Sequence, residues 1–163
     1  MAPVVRISVQ ADVFDLAAEA AKLKPLADVG AVVTFTGVCR GEAGRLSALE
    51  IEHYPGMAET EIERIVDEAS SRWPLAAVTV IHRYGKIPVG DDIVLVVTAS
   101  AHRQAAFEAA SFLMDFMKSR APFWKREHGV AGAPTDWVAP RESDDSAAAR
   151  WDAPEEASGG RRS

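Results

Sequence analysis

The chain has 163 residues, of which 48% are hydrophobic and 26% are charged. This composition is typical of a globular protein with a buried core, and it excludes a disordered or fibrous chain. The 24 acidic residues outnumber the 18 lysines and arginines, and the net charge of −6 disfavours general nucleic-acid binding. The single cysteine, Cys39, excludes an internal disulfide and a thiolate-rich zinc site. We expect one domain over residues 1–150 and a polar, disordered tail over residues 151–163.

The sequence shows no signal for secretion or for membrane insertion. Its first ten residues lack the basic and apolar regions of a signal peptide. The longest apolar runs, such as residues 93–97, have the length of a strand and not of a membrane span. We therefore expect no membrane association and a location in the reducing cytoplasm.

Apolar periodicity divides the first half of the chain into strands and helices. Asp12 is predicted to cap a first helix, which ends before Pro25. The β-branched residues over 30–38 predict a buried strand. The other predicted elements of this half are strands over residues 4–9 and 46–54 and an amphipathic helix over residues 57–73.

The second half begins with two predicted strands, over residues 75–84 and 92–99. Ser100 is the predicted N-cap of a third helix, which Pro122 ends. Residues 123–128 form a short segment rich in basic and aromatic side chains. We expect the chain beyond this segment to lead into the polar tail.

The predicted order of elements is β-α-β-β-α-β-β-α. The strands occur in adjacent pairs and do not alternate strictly with helices, which favours an α+β fold over a doubly wound parallel sheet. We therefore expect a largely antiparallel or mixed sheet packed by helices.

One candidate site lies where the third helix begins, at Ser100, His102 and Arg103. The first turn of a helix presents free N–H groups and the positive end of the helix dipole. Cations added there are disfavoured unless an anion binds nearby. Anion binding is therefore one interpretation, and simple solvation of both side chains is the other.

A second candidate site consists of four cations around Phe123 and Trp124: Lys118, Arg120, Lys125 and Arg126. The first two suit the C-terminal end of a helix for ordinary electrostatic reasons, whereas the last two do not share that explanation. A lysine packed beside aromatic rings loses hydration, so its pKa can fall into a range useful for proton transfer. The alternative is that the aromatic residues are simply part of the core.

A third candidate site surrounds Arg40, where nearby glycines allow close approach of a ligand. Cys39 and Arg45 match the Cys-x5-Arg phosphate loop of cysteine-dependent phosphatases, but the loop here leads into a predicted strand and not into a helix. A lone cysteine in a strand is more often a small buried residue. No group of residues has metal-ligand spacing, so we predict no metal site.

Five segments, in this order, resemble the large, catalytic subunit of molybdopterin synthase, the MoaE family. They are Phe35–Arg40, Glu52–Ala58, His82–Gly85, Ser100–Arg103 and Lys118–Glu127. The resemblance covers about Val4 to Arg150, and the tail lies outside it.

This resemblance implies an activity and a partner. The family converts cyclic pyranopterin monophosphate into molybdopterin by installing two sulfur atoms, without a cofactor of its own. The sulfur arrives as a thiocarboxylate on the C-terminal glycine of a small ubiquitin-like subunit. Two large subunits pair, and a small subunit at each end completes a heterotetramer.

The resemblance also implies roles for six residues of this chain. Lys118 and Lys125 are expected to be catalytic. The residues expected to bind substrate are Arg40, His102, Arg103 and Arg141. In the family, the position of Arg141 reaches the pocket of the neighbouring protomer. The rival interpretations are a phosphatase that uses Cys39 and Arg45, and a non-catalytic anion-binding module.

Overall fold

The computed structural model describes residues 2–137 and 148–152. Arg141 and residues 153–163 of the predicted tail lie outside these residues, whereas Trp151 packs against the core and Asp152 forms an ion pair with Arg120 at 2.8 Å. The elements, in chain order, are β1 (Val4–Gln10), α1 (Leu16–Ala21), β2 (Ala31–Val38), β3 (Leu46–His53), α2 (Met57–Arg72), β4 (Leu75–Arg83), β5 (Gly85–Pro88), β6 (Asp92–Ser100), α3 (Arg103–Ser119) and β7 (Phe123–Gly129).

The large sheet has four strands in the order β1-β4-β6-β2. β1 and β4 are parallel, whereas β4–β6 and β6–β2 are antiparallel, so the sheet is mixed. Apolar side chains of β4 and β6 are buried on both faces of the sheet. One face packs against α2 and α3, and the other packs against α1 and the chain that follows it. The predicted α+β class is therefore confirmed.

The small sheet has three antiparallel strands in the order β5-β3-β7. Two of these strands, β5 and β7, are absent from the predicted order. β5 has only four residues, and β7 carries several charged side chains, so neither has the apolar alternation by which strands are predicted. Both form because they pair with β3, which is a long-range interaction.

The N-caps of α1 and α3 also differ from the prediction. Asp15, and not Asp12, caps α1, because its carboxylate accepts a hydrogen bond from Ala18 N at 3.0 Å. Ser100 is the last residue of β6, and its hydroxyl donates to a main-chain carbonyl outside the helix. His102 takes the N-cap position of α3 without a side-chain cap.

β2 is an edge strand of the large sheet, although the sequence predicts a buried strand there. Among the strands of the described residues, it pairs with β6 alone. Thr34, Phe35 and Val38 are exposed as a result. High β-branched content reports on strand formation and does not distinguish a central strand from an edge strand.

None of the helices within the described residues is both long enough and apolar enough to cross a membrane.

Candidate active site

Three of the predicted site residues, Arg40, Lys118 and Lys125, lie at one end of the large sheet. α3 begins just after β6 ends and returns along the sheet, packing against β6 and β2. The last turn of α3, which carries Lys118, therefore reaches the end of the sheet where Val38 of β2 pairs with Asp92 of β6. Arg40 follows β2 at this end, and Lys125 follows in β7, which begins shortly after α3.

Four aromatic side chains form a ring cluster at the start of β7, beside Lys125. The Phe123 ring stacks on His82, with centroids 3.8 Å apart and planes 12° from parallel. His53 lies 6.2 Å from Phe123 and 4.5 Å from Tyr84, measured between ring centroids. Lys125 is two residues beyond Phe123 in β7, so both side chains occupy the same face of the small sheet.

His82 is neutral at physiological pH. Its pKa is lowered to about 3, first by burial and then by the charges of Lys125 and His53, while a hydrogen bond to the main chain opposes these effects. The ring Nδ1 donates that bond to the carbonyl oxygen of Arg83 at 2.8 Å. The ring cluster therefore places an uncharged, fixed imidazole close to the ammonium group of Lys125.

Arg40 and Lys118 are both exposed in the single chain, and the Arg40 side chain is 72% exposed. Arg40 forms an ion pair with Glu42 at 3.3 Å, and an exposed pair of this kind contributes little stability. Glu42 and Ala43 have positive φ values of 48° and 57°, followed by Gly44 at 83°. Left-handed conformations cost a non-glycine residue about 1–2 kcal/mol. Backbone strain is therefore stored directly beside Arg40.

His102 and Arg103 lie at the opposite end of the same helix. α3 has 17 residues, which corresponds to about 25 Å at a rise of about 1.5 Å per residue. Both side chains are exposed. Because this distance exceeds the reach of the side chains, His102 and Arg103 do not form a common anion clamp with Arg40 within one chain. The tertiary structure thus separates residues that the sequence analysis grouped together.

Cys39 is not suited to nucleophilic chemistry in this structure. It is only 4% exposed, and burial raises the pKa of its thiol, with a further rise from nearby Asp91. The loop after it leads into β3 and not into a helix, and Arg45 forms an ion pair with Glu127 at 3.4 Å. A phosphatase loop needs a thiolate beside a helix N-terminus. The phosphatase interpretation is therefore not supported.

A second group of side chains, which we call the Glu50 cluster, covers the other face of the small sheet. It consists of Glu50, Arg126, His128 and Trp137. The Glu50 carboxylate accepts hydrogen bonds from Arg126 at 2.8 and 3.1 Å, and it lies 2.9 Å from His128 Nε2. These contacts, that of His128 first, lower the pKa of Glu50. The Arg126 guanidinium also stacks on the Trp137 ring, 4.6 Å from its centroid.

The sequence analysis did not predict either the ring cluster or the Glu50 cluster. Both depend on the register in which β7 pairs with β3, where Phe123 lies opposite His53 and Arg126 lies opposite Glu50. The one available signal was the alternation of charged and aromatic residues in both segments. That signal is too weak to select one pairing among many.

The two remaining predictions concern the role of Arg141 and the binding of a metal ion. Arg141 lies outside the described residues, so its predicted role stays a prediction. Across residues 2–137 and 148–152, no three His, Cys, Asp or Glu side chains gather closely enough to hold a metal ion.

Comparisons with known proteins place this α+β fold among the enzymes of molybdopterin biosynthesis. The family model described as MoaE protein matches residues 9–120. The molybdopterin synthase catalytic subunit of Mesorhizobium japonicum is 64% identical over 152 residues, which cover 93% of this chain and 94% of that protein. The chain therefore belongs to the MoaE family.

Solved structures agree with this assignment. The molybdopterin biosynthesis MoaE protein from Burkholderia ambifaria has a TM-score of 0.78 and 42% identity, covering 93% of this chain and 100% of that one. A protein–protein complex of subunits 1 and 2 of the molybdopterin-converting factor from Helicobacter pylori has a TM-score of 0.65 and 20% identity. It covers 85% of this chain and 90% of that one, and this likeness concerns the fold alone.

Proposed function

We propose that this chain is the catalytic subunit of a molybdopterin synthase, an enzyme that transfers sulfur. The observation that carries the proposal is the 64% identity to a molybdopterin synthase catalytic subunit over nearly the whole of both chains. The substrate is cyclic pyranopterin monophosphate. The sulfur donor is the C-terminal thiocarboxylate of a small ubiquitin-like subunit.

The lysines at the C-terminal end of α3 supply the proton transfers. Attack by the thiocarboxylate sulfur leaves an acyl link between the substrate and the carrier subunit, and water then cleaves this link to leave the sulfur on the substrate. Opening of the ring and loss of water also require protons to move. Lys118 is the main acid/base group, and Lys125 supports it from the neighbouring strand. The ring cluster favours this assignment, because His82 stacks on Phe123 at the start of β7 and carries no charge near Lys125.

Arg40 binds the phosphate of the substrate. Its guanidinium offers several donors in a plane, which suits a phosphate group, and its exposed ion pair with Glu42 is easily exchanged for a stronger anion. Its place at the same end of the large sheet as Lys118 supports a common site.

The distance between the ends of α3 supports a site that two protomers share. His102 and Arg103 cannot contribute to the pocket of their own Lys118, since the helix holds them about 25 Å away. In a dimer with twofold symmetry, each protomer can donate the same residues to the other. We assign His102 and Arg103, together with Arg141, to the substrate pocket of the neighbouring protomer.

The proposed assembly is a homodimer that binds a small subunit at each end, and we expect it in the cytoplasm. The relative from Mesorhizobium japonicum is called a catalytic subunit, and the Helicobacter pylori structure is a complex of two subunits. The first description favours a partner subunit for the present chain.

One reconstitution tests the proposal. The protein is mixed with cyclic pyranopterin monophosphate and a small subunit that carries a C-terminal thiocarboxylate, and molybdopterin is measured. We expect product only when the thiocarboxylate is present, and the same small subunit with an ordinary carboxylate is the matched control. A protein that binds both partners but forms no product would support a non-catalytic module instead.

A further inference from the structure

Residues 148–152 form a short segment that is held against α2 and α3. The Trp151 ring lies edge-on to Trp73 and to Phe112, with ring centroids 5.5 Å apart in both cases. The carbonyl oxygen of Trp151 accepts a hydrogen bond from Arg72, at the end of α2, at 2.9 Å. Ring packing and a main-chain contact therefore fix this segment on the two helices.

Two side chains of the segment bind the carboxylate of Asp115, which lies in α3. Arg150 Nη2 and Trp151 Nε1 both donate to Asp115 Oδ2 at 2.7 Å. The same Arg150 nitrogen also donates to the Ser111 hydroxyl at 2.7 Å. The Asp115 side chain is only 17% exposed. Short hydrogen bonds to an ionised carboxylate are strong, so these two donors hold the Asp115 carboxylate in one place.

Asp115 lies one helical turn before Lys118. Residues three apart on a helix are neighbours on its surface, so an acidic and a basic side chain at this spacing ordinarily pair. Two pairs with this spacing form elsewhere in the chain, each with a nitrogen–oxygen distance of 3.1 Å: Glu19–Lys22 and Glu61–Arg64. Over residues 2–137 and 148–152, by contrast, Lys118 has no ion pair with Asp115 or with any other carboxylate.

A carboxylate paired with Lys118 would hinder proton transfer. A lysine that acts as acid and base must release and recover its proton, and a neighbouring negative charge favours the ammonium form. The other charged side chains at this end of α3 and of the large sheet are Arg40, Asp91, Asp92, Arg120, Lys125 and Asp152. Asp152 is paired with Arg120 at 2.8 Å. Asp115 is the acidic residue of α3 closest to Lys118 in sequence.

We propose that Arg150 and Trp151 are positioning residues that hold Asp115 away from Lys118, so that Lys118 stays able to release its proton. They touch neither substrate nor reacting atoms, and they act through the carboxylate of Asp115. The inference rests on the proposed function, in which Lys118 is the main acid/base group.

The first test removes both donors from Asp115 in the reconstituted enzyme. Arg150→Ala combined with Trp151→Phe frees the carboxylate to pair with Lys118 and keeps an aromatic ring beside Phe112. The acidic limb of the pH profile of kcat should move to higher pH by about 0.3–0.7 pH unit, which lowers kcat there roughly 2- to 5-fold, the range for an exposed ion pair. The KM for the cyclic pterin should not change. An unmoved profile in the folded double variant would overturn the inference.

The second test removes the charge of Asp115 from the same double variant. With Asp115→Asn added, the pH profile should return to its wild-type position, because no carboxylate remains to pair with Lys118. A merely structural role predicts the opposite result, since a third change would loosen the segment further. A triple variant whose profile stays shifted would contradict the inference.

Trp73→Phe is the matched control. Trp73 Nε1 donates to Glu108 Oε2 at 2.7 Å, which is the donor type and the distance of the contact between Trp151 and Asp115. Glu108 lies almost three turns of α3 before Lys118, at about 3.6 residues per turn. Trp73→Phe therefore releases a carboxylate of the same helix far from Lys118, and the pH profile should not move. A shift of equal size in this variant would assign the effect to loosened packing of α3.

Thermal melting shows which variants are folded at the assay temperature. If the double variant is unfolded, Trp151→Phe alone decides, because it keeps Arg150 and a packed ring. It should then give part of the same shift, again reversed by Asp115→Asn, and an unmoved profile would overturn the inference.

Two results separate the inference from the proposed function. If wild-type protein forms product and Lys118→Ala does not, but no variant at Arg150 or Trp151 moves the profile, the inference fails while the proposed function stands. If wild-type protein forms no product with the thiocarboxylated small subunit, the proposed function fails and the inference fails with it.

Discussion

The two ends of α3 carry the same kinds of side chain in opposite electrostatic surroundings. Lys118 lies in the last turn, where the negative end of the helix dipole favours a cation, and it has Arg40 and Lys125 at the same end of the large sheet. At the other end, His102 is the N-cap and Arg103 lies in the first turn, where the dipole disfavours a cation. The helix dipole explains the cations at the C-terminal end, whereas the Arg103 cation at the N-terminal end calls for an anion from outside the chain.

This difference separates two roles that residue type alone would merge. At the C-terminal end, Lys125 lies close to the stacked and neutral ring of His82, which suits this end to moving protons. At the N-terminal end, the exposed side chains of His102 and Arg103, next to free main-chain N–H groups, are suited to holding an anion. If both belong to one reaction, two copies of the chain must meet, because the helix keeps the ends about 25 Å apart.

The largest expected effect comes from the C-terminal end. Lys118→Ala should lower product formation on the order of a hundredfold or more, because a positioned proton-transfer group is lost. Its side chain is exposed, so folding should be preserved and thermal melting should change little. Lys118→Arg, which keeps the charge but not a transferable proton, is the matched control. Near-normal turnover in folded Lys118→Ala would show that Lys118 does not transfer protons, and the proposed difference in role between the two ends of α3 would then be lost.

The N-terminal end should show a smaller effect and a different one. His102→Ala or Arg103→Ala should weaken binding of the cyclic pterin by about 1.5–3 kcal/mol, or roughly 10- to 150-fold. Binding of the small subunit should change much less. Titration of each variant with both ligands measures this, and equal losses for both ligands would contradict a role in holding the substrate phosphate.

Mixing two inactive variants tests whether the two ends of α3 contribute to the same pocket. His102→Ala combined with Lys118→Ala should recover about one quarter of wild-type activity, because half of the dimers are mixed and each has one intact pocket. Light scattering at the working concentration checks that the protein is a dimer. A monomer, or no recovery after subunit exchange, would place His102 outside the shared pocket.

The ring cluster at the C-terminal end should appear in the pH dependence of stability. Because the pKa of His82 is about 3 when folded and near 6.5 when unfolded, the unfolded state gains the proton first as the pH falls. The free energy of unfolding should therefore decrease by up to about 1.4 kcal/mol per pH unit between pH 6.5 and 3, and the contribution is complete above pH 6.5. Urea unfolding of wild type and of His82→Gln between pH 8 and 5, above the carboxylate range, measures it. An unchanged slope in the variant would show that His82 is not buried as a neutral ring.

The smallest expected effect concerns Cys39, which lies near Arg40 but is buried. Cys39→Ala should lower turnover by at most a few-fold, because it alters packing beside the Arg40 loop and removes no reacting group. The sulfur comes from the partner subunit in the proposed reaction. Complete loss of turnover in folded Cys39→Ala would point to a thiolate mechanism instead.

Much of the fold is readable from local patterns. The α+β class, the three helices and the strands of the large sheet were predicted close to their observed positions. Their apolar residues recur with a period set by the element itself, and neighbouring residues carry the whole signal. The caps were predicted less well, because Asp12 and Asp15 are equally good capping residues and only the path of the chain selects Asp15.

For the candidate site as well, some features follow from local sequence and others follow only from long-range contacts. Segments of the sequence were enough to indicate the family and to single out Lys118, Lys125, Arg40, His102 and Arg103. The same segments did not show how these residues are grouped in space, because α3 holds His102 and Arg103 about 25 Å from Lys118. The small sheet, the ring cluster and the Glu50 cluster exist only because β7 pairs with β3 across more than 70 positions. A short, charged strand has no apolar period of its own, so only its partner in the folded chain decides that it forms and which side chains it brings together.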